Sequence, residues 1–229
     1  MDKLNVDTIL FDIDGVLVDV SQSYRIAIAK TTEFFTGEKI DMEEIQALKE
    51  QTGFNNEWDL TEELVKQRGK TVEKQTIIDK FQEYYLGTNG QKGLIENETW
   101  LLDKDLLTRL SENFKLGIIT GRPKDEADIA LDVAGVKDYF KVIIAMEDVT
   151  KGKPDPQGIN MAMEKLGGEK AIYIGDVSDD IRAAKNAGVI AVGCMPPETK
   201  ENRREVLNDV GAIIVLNKVD EIKDAIEWK

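Results

Sequence analysis

Two aspartates, Asp12 and Asp14, stand two residues apart at the end of an apolar run in ILFDIDGVLVD, residues 9–19. Ile9, Leu10 and Phe11 arrive without alternation, the pattern of a strand buried on both faces of a parallel sheet. In extended geometry residues two apart point the same way, and Gly15 lets the chain turn at once afterwards. Carboxylates gathered at the mouth of an apolar strand repel one another, and a cation relieves that repulsion. An oxygen-rich site of this kind suits Mg²⁺, which takes one or two carboxylates and leaves room for phosphate oxygens and water. Taken alone, the same residues also read as a solvated acidic turn.

Three further stretches place polar residues at the ends of apolar runs. LGIITGR ends in Thr120, Gly121 and Arg122, a hydroxyl and backbone N–H groups just before a helix, suited to hold an anion. Lys153, in KGKPDP, sits in a loop stiffened by Pro154 and Pro156. YIGDVSDD ends in Asp176, with Asp179 and Asp180 beyond it, Asp180 one helical turn from Asp176. Each has a plainer reading alone: a helix cap, a solvated loop cation, first-turn acids that favour the helix dipole. Ligands of open parallel sheets bind beyond the carboxyl ends of the strands, and all four features fall at such ends. Together they supply a cation-bound carboxylate cluster, a lysine that offsets its charge, and donors for phosphoryl oxygens.

The elements that must position these residues follow from periodicity. A first strand covers Val6 to Phe11. Residues 20–95 show no strand signal: helical spacing starts at Ser21, a candidate N-cap, and continues in a helix capped by Asp41 and in helices over Glu57 to Gln67 and Thr71 to Leu86. A crossover needs only one helix, so this run is read as an inserted helical domain. The glycine-dense GTNGQKG, residues 87–93, reads as the linker that returns the chain to the main domain. From there helix and strand alternate strictly to the end, which predicts an α/β fold, a doubly wound parallel sheet with helices on both faces. The predicted domains are a core of residues 1–19 and 93–229 and an all-helical cap of residues 20–92.

Composition narrows the chemistry further. The 229 residues carry a net charge of −14 and supply no basic stripe, so neither nucleic acid nor an anionic membrane is expected as partner. No apolar run reaches the ~20 residues that span a bilayer, and the amino terminus has no signal-like apolar region, so a cytoplasmic location is expected. Histidine is absent, which removes histidine-based triads, histidine-ligated zinc and histidine phosphorelay. Acid–base work falls to carboxylates, lysine or tyrosine. The single cysteine, Cys194, excludes an internal disulfide and reads as a small core residue.

FDIDGVL, IITGR, KGKPDP and YIGDVSDDIRAAKNAG, in this order, resemble the four motifs of the haloacid dehalogenase superfamily of phosphohydrolases, over essentially the whole chain. The helical insert after the first motif is similar to the cap of the subclass that contains phosphoglycolate phosphatase and β-phosphoglucomutase. The resemblance implies a doubly wound core over which the cap closes, and an Mg²⁺-dependent phosphomonoester hydrolase acting on a small phosphorylated metabolite, as a monomer or homodimer. It implies Asp12 as nucleophile, forming an aspartyl-phosphate, and Asp14 as the acid that protonates the leaving oxygen and then activates water. It implies Mg²⁺ on Asp12, the backbone carbonyl of Asp14 and Asp176. Asp180 would hold metal-bound water or orient Lys153, with Asp179 a weaker candidate for that shell. Thr120 and the neighbouring N–H groups would hold phosphoryl oxygens, and Lys153 would screen Asp12 from the incoming anion. Arg122 and Gly121 are candidate substrate contacts, although a cation at a helix start is unfavourable. In the cap loop GFNNEWD, Gly53, Asn55 and Asn56 either face the leaving group or serve as turn residues. Asp14 argues against a dehalogenase or phosphonatase, which lack an acid there. A phosphomutase is the alternative reading, and a phospho-receiver or binding module a remote one, since its order of acids, threonine and lysine differs.

Overall fold

The computed structural model describes residues 3–49, 51, 54, 56–88, 90–197 and 202–228. In chain order its regular elements begin with strands β1 (Thr8–Phe11) and β2 (Val18–Asp19) and helices α1 (Tyr24–Thr36), α2 (Met42–Lys49), α3 (Glu57–Gln67) and α4 (Lys74–Tyr85). Short strands β3 (Gly87–Thr88), β4 (Gln91–Lys92) and β5 (Thr99–Trp100) follow, then α5 (Lys104–Asn113), β6 (Lys115–Ile119), α6 (Lys124–Ala134) and β7 (Val142–Ile144). The chain closes with α7 (Gln157–Leu166), β8 (Ala171–Gly175), α8 (Ser178–Asn186), β9 (Ile190–Cys194), α9 (Asn202–Val210), β10 (Ile214–Leu216) and α10 (Ile222–Ala225). By backbone contacts it divides into two compact units, Met1–Asp19 with Trp100–Lys229, and Val20–Thr99.

The first unit is a six-stranded sheet in the order β10-β9-β8-β1-β6-β7, and every pairing is parallel. Strand order reverses about β1: the chain builds outward through β6 and β7, then crosses to β8 on the other side. Such a reversal opens a crevice at the strands' carboxyl ends. Register decides what lines it. Phe11 pairs with both Ile118 and Ile174, so Asp12 emerges between the ends of β6 and β8, with Thr120 and Asp176 one residue further along. All four residues of β1 are buried, as a central parallel strand requires. Leu10, Ile119, Ile144, Ile159, Tyr173, Ile181 and Leu207 share one buried cluster that fixes α7, α8 and α9 to the sheet.

The second unit carries α1 to α4 around an aromatic stack. The rings of Tyr24 and Tyr85 lie 4.3 Å apart at an interplanar angle of 10°, with Phe81 against both. Glu98 accepts hydrogen bonds from Tyr85 Oη at 2.9 Å and Ser23 Oγ at 2.8 Å, tying the end of the unit to the start of α1.

The sequence-based reading departs from the structure in three places here. Helix α1 begins at Tyr24, after Ser23, two residues later than a cap at Ser21 implies. The stretch read as a linker is a small antiparallel hairpin, Gly87 paired with Lys92 and Thr88 with Gln91. Its strands of two residues are too short to show alternation, so the insert is predominantly helical and not all-helical. The compact unit also continues to Thr99, past residue 92. No helix among the described residues is long and apolar enough to cross a membrane.

Candidate active site

Three strand ends and one loop bring the acidic and basic residues together. The β1 end is a rigid tight turn: Val16, Leu17 and Val18 all donate their N–H to the Ile13 carbonyl, and Gly15 N–H donates to Val18 O. Gly15 has φ +75°, and a Cβ there would stand 2.5 Å from Asp176 Oδ2, so only glycine lets this turn approach the β8 end. Asp12 and Asp176 are each 4% exposed and Asp180 is fully buried.

Lys153 is the hub of the cluster. Its Nζ lies 3.1 Å from Asp12 Oδ1 and 2.6 Å from Asp180 Oδ1, and donates to Tyr173 Oη at 3.2 Å. Tyr173, from the middle of β8, is within donating distance of the Ile119 carbonyl at 3.0 Å and of Asp180 Oδ1 at 3.2 Å. Asp180 Oδ2 accepts the N–H groups of Asp176 and Val177 at 3.0 and 3.1 Å, closing the first turn of α8. Asp180 is thereby fixed by backbone on one oxygen and by Lys153 on the other. Asp179 instead pairs with Arg182 at 3.0 Å.

Two arginines complete the charge balance. Arg122 is completely buried, and its Nε and Nη2 lie 2.7 and 2.5 Å from Asp14 Oδ1. The guanidinium of Arg122, a candidate substrate contact from the sequence, holds a residue 108 positions earlier in the chain. Arg203, from the first turn of α9, donates through Nε and Nη2 to the Asp176 carbonyl at 2.9 and 2.6 Å, and through Nη2 to Asp176 Oδ2 at 2.9 Å. Four carboxylates, Asp12, Asp14, Asp176 and Asp180, thus meet three buried cations, and one negative charge is left over when all are ionised. Sequence reasoning gives no place to Arg203 or Tyr173. Arg203 lies in the charged run ENRREV, which reads as a solvated helix start, and Tyr173 in an apolar strand.

The electrostatics follow from burial. Burial pushes the Asp12 carboxyl well above the usual range; Lys153 opposes that rise, and the charges of Asp180, Asp14 and Asp176 add to it. Burial alone would lower the Lys153 ammonium, but Asp12 and Asp180 outweigh it and hold the group well above an ordinary lysine. Burial likewise raises the Tyr173 phenol. Cys194, buried, is pushed up to about 12 by desolvation and stays a thiol. Asp12, Asp176 and Asp180 each offer an oxygen, and these oxygens lie within 4.8 Å of one another. An all-oxygen set with a surplus negative charge fits a hard divalent cation.

Thr120 is buried at the β6 end, where its N–H donates to Ile144 O and its Oγ1 accepts the N–H of Arg122 at 3.1 Å. Its hydroxyl proton is left for another acceptor, and Gly121 lies beside it, partly exposed. Of the candidates outside this cluster, Asn56 is the N-cap of α3, its side chain accepting the N–H groups of Trp58 and Asp59 at 2.9 and 3.1 Å. Gly53 and Asn55 lie outside the described residues.

Known proteins place the arrangement in context. The family model of haloacid dehalogenase-like hydrolases matches residues 9–194. A Phytophthora nicotianae protein named imidazoleglycerol-phosphate dehydratase is 36% identical over 230 residues; the match covers 92% of this chain but only 50% of that protein, so the chain spans half the length of that relative. Pyrophosphatase PpaX of Bacillus pumilus is 26% identical over 195 residues, covering 84% of this chain and 85% of the relative. Among solved structures, a putative haloacid dehalogenase-like hydrolase from Bacteroides fragilis superposes with a TM-score of 0.77 at 23% identity, covering 94% of this chain and 99% of the other, a likeness of fold. With a matching model over most of its length and its four motifs gathered at one end of a doubly wound sheet, the chain belongs to the haloacid dehalogenase-like hydrolase family.

Proposed function

We propose that the protein is an Mg²⁺-dependent phosphohydrolase that cleaves a small phosphate ester through an aspartyl-phosphate. The observation that carries this reading is Lys153 Nζ, 3.1 Å from Asp12 and 2.6 Å from Asp180. It opposes the upward push that burial gives the Asp12 carboxyl, and an uncharged Asp12 cannot attack phosphorus.

In this reading an Asp12 oxygen forms a bond to phosphorus in line with the ester oxygen, and the P–O ester bond breaks as Asp14 delivers its proton to the leaving oxygen. Asp14, now ionised, takes a proton from water, whose oxygen displaces Asp12 from phosphorus and releases phosphate. Thr120 Oγ1 and the N–H groups beside it hold phosphoryl oxygens; Lys153 offsets the incoming negative charge. Asp12 and Asp176, with the Asp14 carbonyl, would hold Mg²⁺, which supplies charge neutralisation for the transferring group. Asp180, satisfied by backbone N–H groups and Lys153, serves mainly to orient the lysine. Positioning and electrostatics do most of the work in phosphoryl transfer, and the cluster consists of little else.

The test is phosphate release from a panel of pyrophosphate, phosphoglycolate, sugar phosphates, nucleotides and imidazole-bearing alkyl phosphates, with Mg²⁺ or chelator. Pyrophosphate enters because of the Bacillus relative's name, and the imidazole esters because of the Phytophthora relative's. Release that needs Mg²⁺ and disappears in Asp12→Asn supports the reading. Release that survives the substitution overturns it, and phosphoryl transfer within a sugar phosphate without net release makes the protein a mutase.

A further inference from the structure

We propose that Arg122 is a positioning residue for Asp14, holding one carboxylate oxygen so that the other is presented to the leaving group. This rests on the phosphohydrolase reading and goes beyond it. Both nitrogens of the fork, Nε at 2.7 Å and Nη2 at 2.5 Å, reach the same atom, Asp14 Oδ1. Among the described residues no hydrogen bond reaches Oδ2, and the Asp14 side chain keeps 10% of its surface open. The two oxygens of the carboxyl are therefore inequivalent before any substrate arrives: one is anchored and one is available.

The anchor is rigid on both sides. The Arg122 backbone is fixed by its own N–H on Thr120 Oγ1 at 3.1 Å and by Met146 N–H on its carbonyl at 2.9 Å, which ties it to the ends of both β6 and β7. Asp14 sits in the tight turn whose three N–H groups converge on Ile13 O. A complete absence of solvent exposure leaves the guanidinium no alternative rotamer in water. A loop cation that only screened charge would not need burial, and two nitrogens on one oxygen fix direction in a way a point charge does not. A buried ion pair also costs desolvation, which a role in holding orientation explains better than stability does.

Orientation of a general acid matters in proportion to how much the leaving group needs a proton. The experiment is therefore a series of substituted phenyl phosphates with Mg²⁺, run on wild type, Arg122→Met and Arg122→Lys after thermal unfolding has shown each to be folded. For Arg122→Met, kcat/KM is expected to fall at least tenfold more for phenyl phosphate than for 4-nitrophenyl phosphate, whose leaving group departs without help. Arg122→Lys keeps the charge but lacks the fork, so it shows the same trend at smaller size, and it carries the test alone if the methionine variant does not fold. In an Asp14→Asn background, Arg122→Met should change kcat/KM by less than twofold, since the acid it would position is already gone. A uniform loss across the series, or a full additional loss in the Asp14→Asn background, overturns the positioning role while leaving phosphatase activity standing. No release from wild type on any ester removes the reaction and the proposal with it.

Discussion

Arg203 gives the sharpest test of how the acidic cluster is held together. Arg203 is 3% exposed, and its guanidinium makes three hydrogen bonds to Asp176, two on the carbonyl and one on Oδ2. Asp176 is itself 4% exposed. Substituting Arg203→Met removes the charge and keeps most of the side chain's volume. Breaking one partner of a buried pair leaves the other charge uncompensated, at a cost of about 3–5 kcal/mol. In a chain of this size that lowers the melting temperature by roughly 6–20 °C. The loss should be largest in chelator. A divalent cation bound at Asp12 and Asp176 supplies positive charge where the arginine no longer does, and it no longer competes with one. Saturating Mg²⁺ should therefore stabilise the variant by at least ~1.4 kcal/mol more than it stabilises wild type, which corresponds to tenfold tighter binding. The assay is thermal unfolding of the full chain across an Mg²⁺ titration, started from chelator. An equal or smaller Mg²⁺-induced shift in the variant would refute the charge argument. A wild type that shows no shift would refute the cation site itself.

Three further outcomes follow from single contacts. Tyr173→Phe deletes the hydroxyl shared by Lys153, Asp180 and the Ile119 carbonyl; urea unfolding should show a loss of about 1–3 kcal/mol, with kcat reduced and KM for the best ester little changed, and unchanged stability would show that the hydroxyl is replaceable. At Gly175 an added Cβ would lie 2.1 Å from Asp180 Cβ, an atom that cannot swing aside, so Gly175→Ala should cost about 3 kcal/mol or more in thermal unfolding and abolish activity by displacing Asp180 from Lys153. Asp7 accepts hydrogen bonds from Thr8 Oγ1 and from the N–H groups of Glu169 and Lys170. Burial alone would raise its carboxyl, but those bonds and Lys115 bring it below the usual value. A depressed folded value means stability that is complete above the unfolded value near 3.9 and is lost as pH falls through the lower folded one. The stability gap between wild type and Asp7→Asn should accordingly be constant near neutrality and close below about pH 4; a gap independent of pH down to acid unfolding would contradict it.

The parts of this molecule that sequence makes legible are those whose signal is local. Helix α3 runs over Glu57–Gln67, the range its periodicity predicts, and the four polar clusters are visible because each follows its own apolar run. Asn56 shows the same locality: an amide immediately before a helical pattern is already an N-cap signal. What sequence does not carry is pairing across distance. Arg122 stands at a helix start, where a cation is unfavourable, and its sequence neighbours say only that it is out of place. The structure resolves the misfit through Asp14, 108 residues away, whose charge outweighs the dipole. Arg203 lies 27 residues beyond Asp176, in a run of charges that reads as solvent-facing. A net charge of −14 signals that an anion-handling site must be repaired locally, and the repair consists of three buried cations, of which sequence reading places Lys153 and Arg122 at the site but finds the carboxylate partner of neither arginine. The pattern has a physical reason. Hydrophobic periodicity repeats over many residues and survives averaging, whereas a buried arginine is a single residue whose burial depends wholly on a partner the chain brings to it. Arg122 and Arg203 each sit on one of the carboxylates that the reaction would use, so the charge balance of the site is decided by contacts invisible to motif reading.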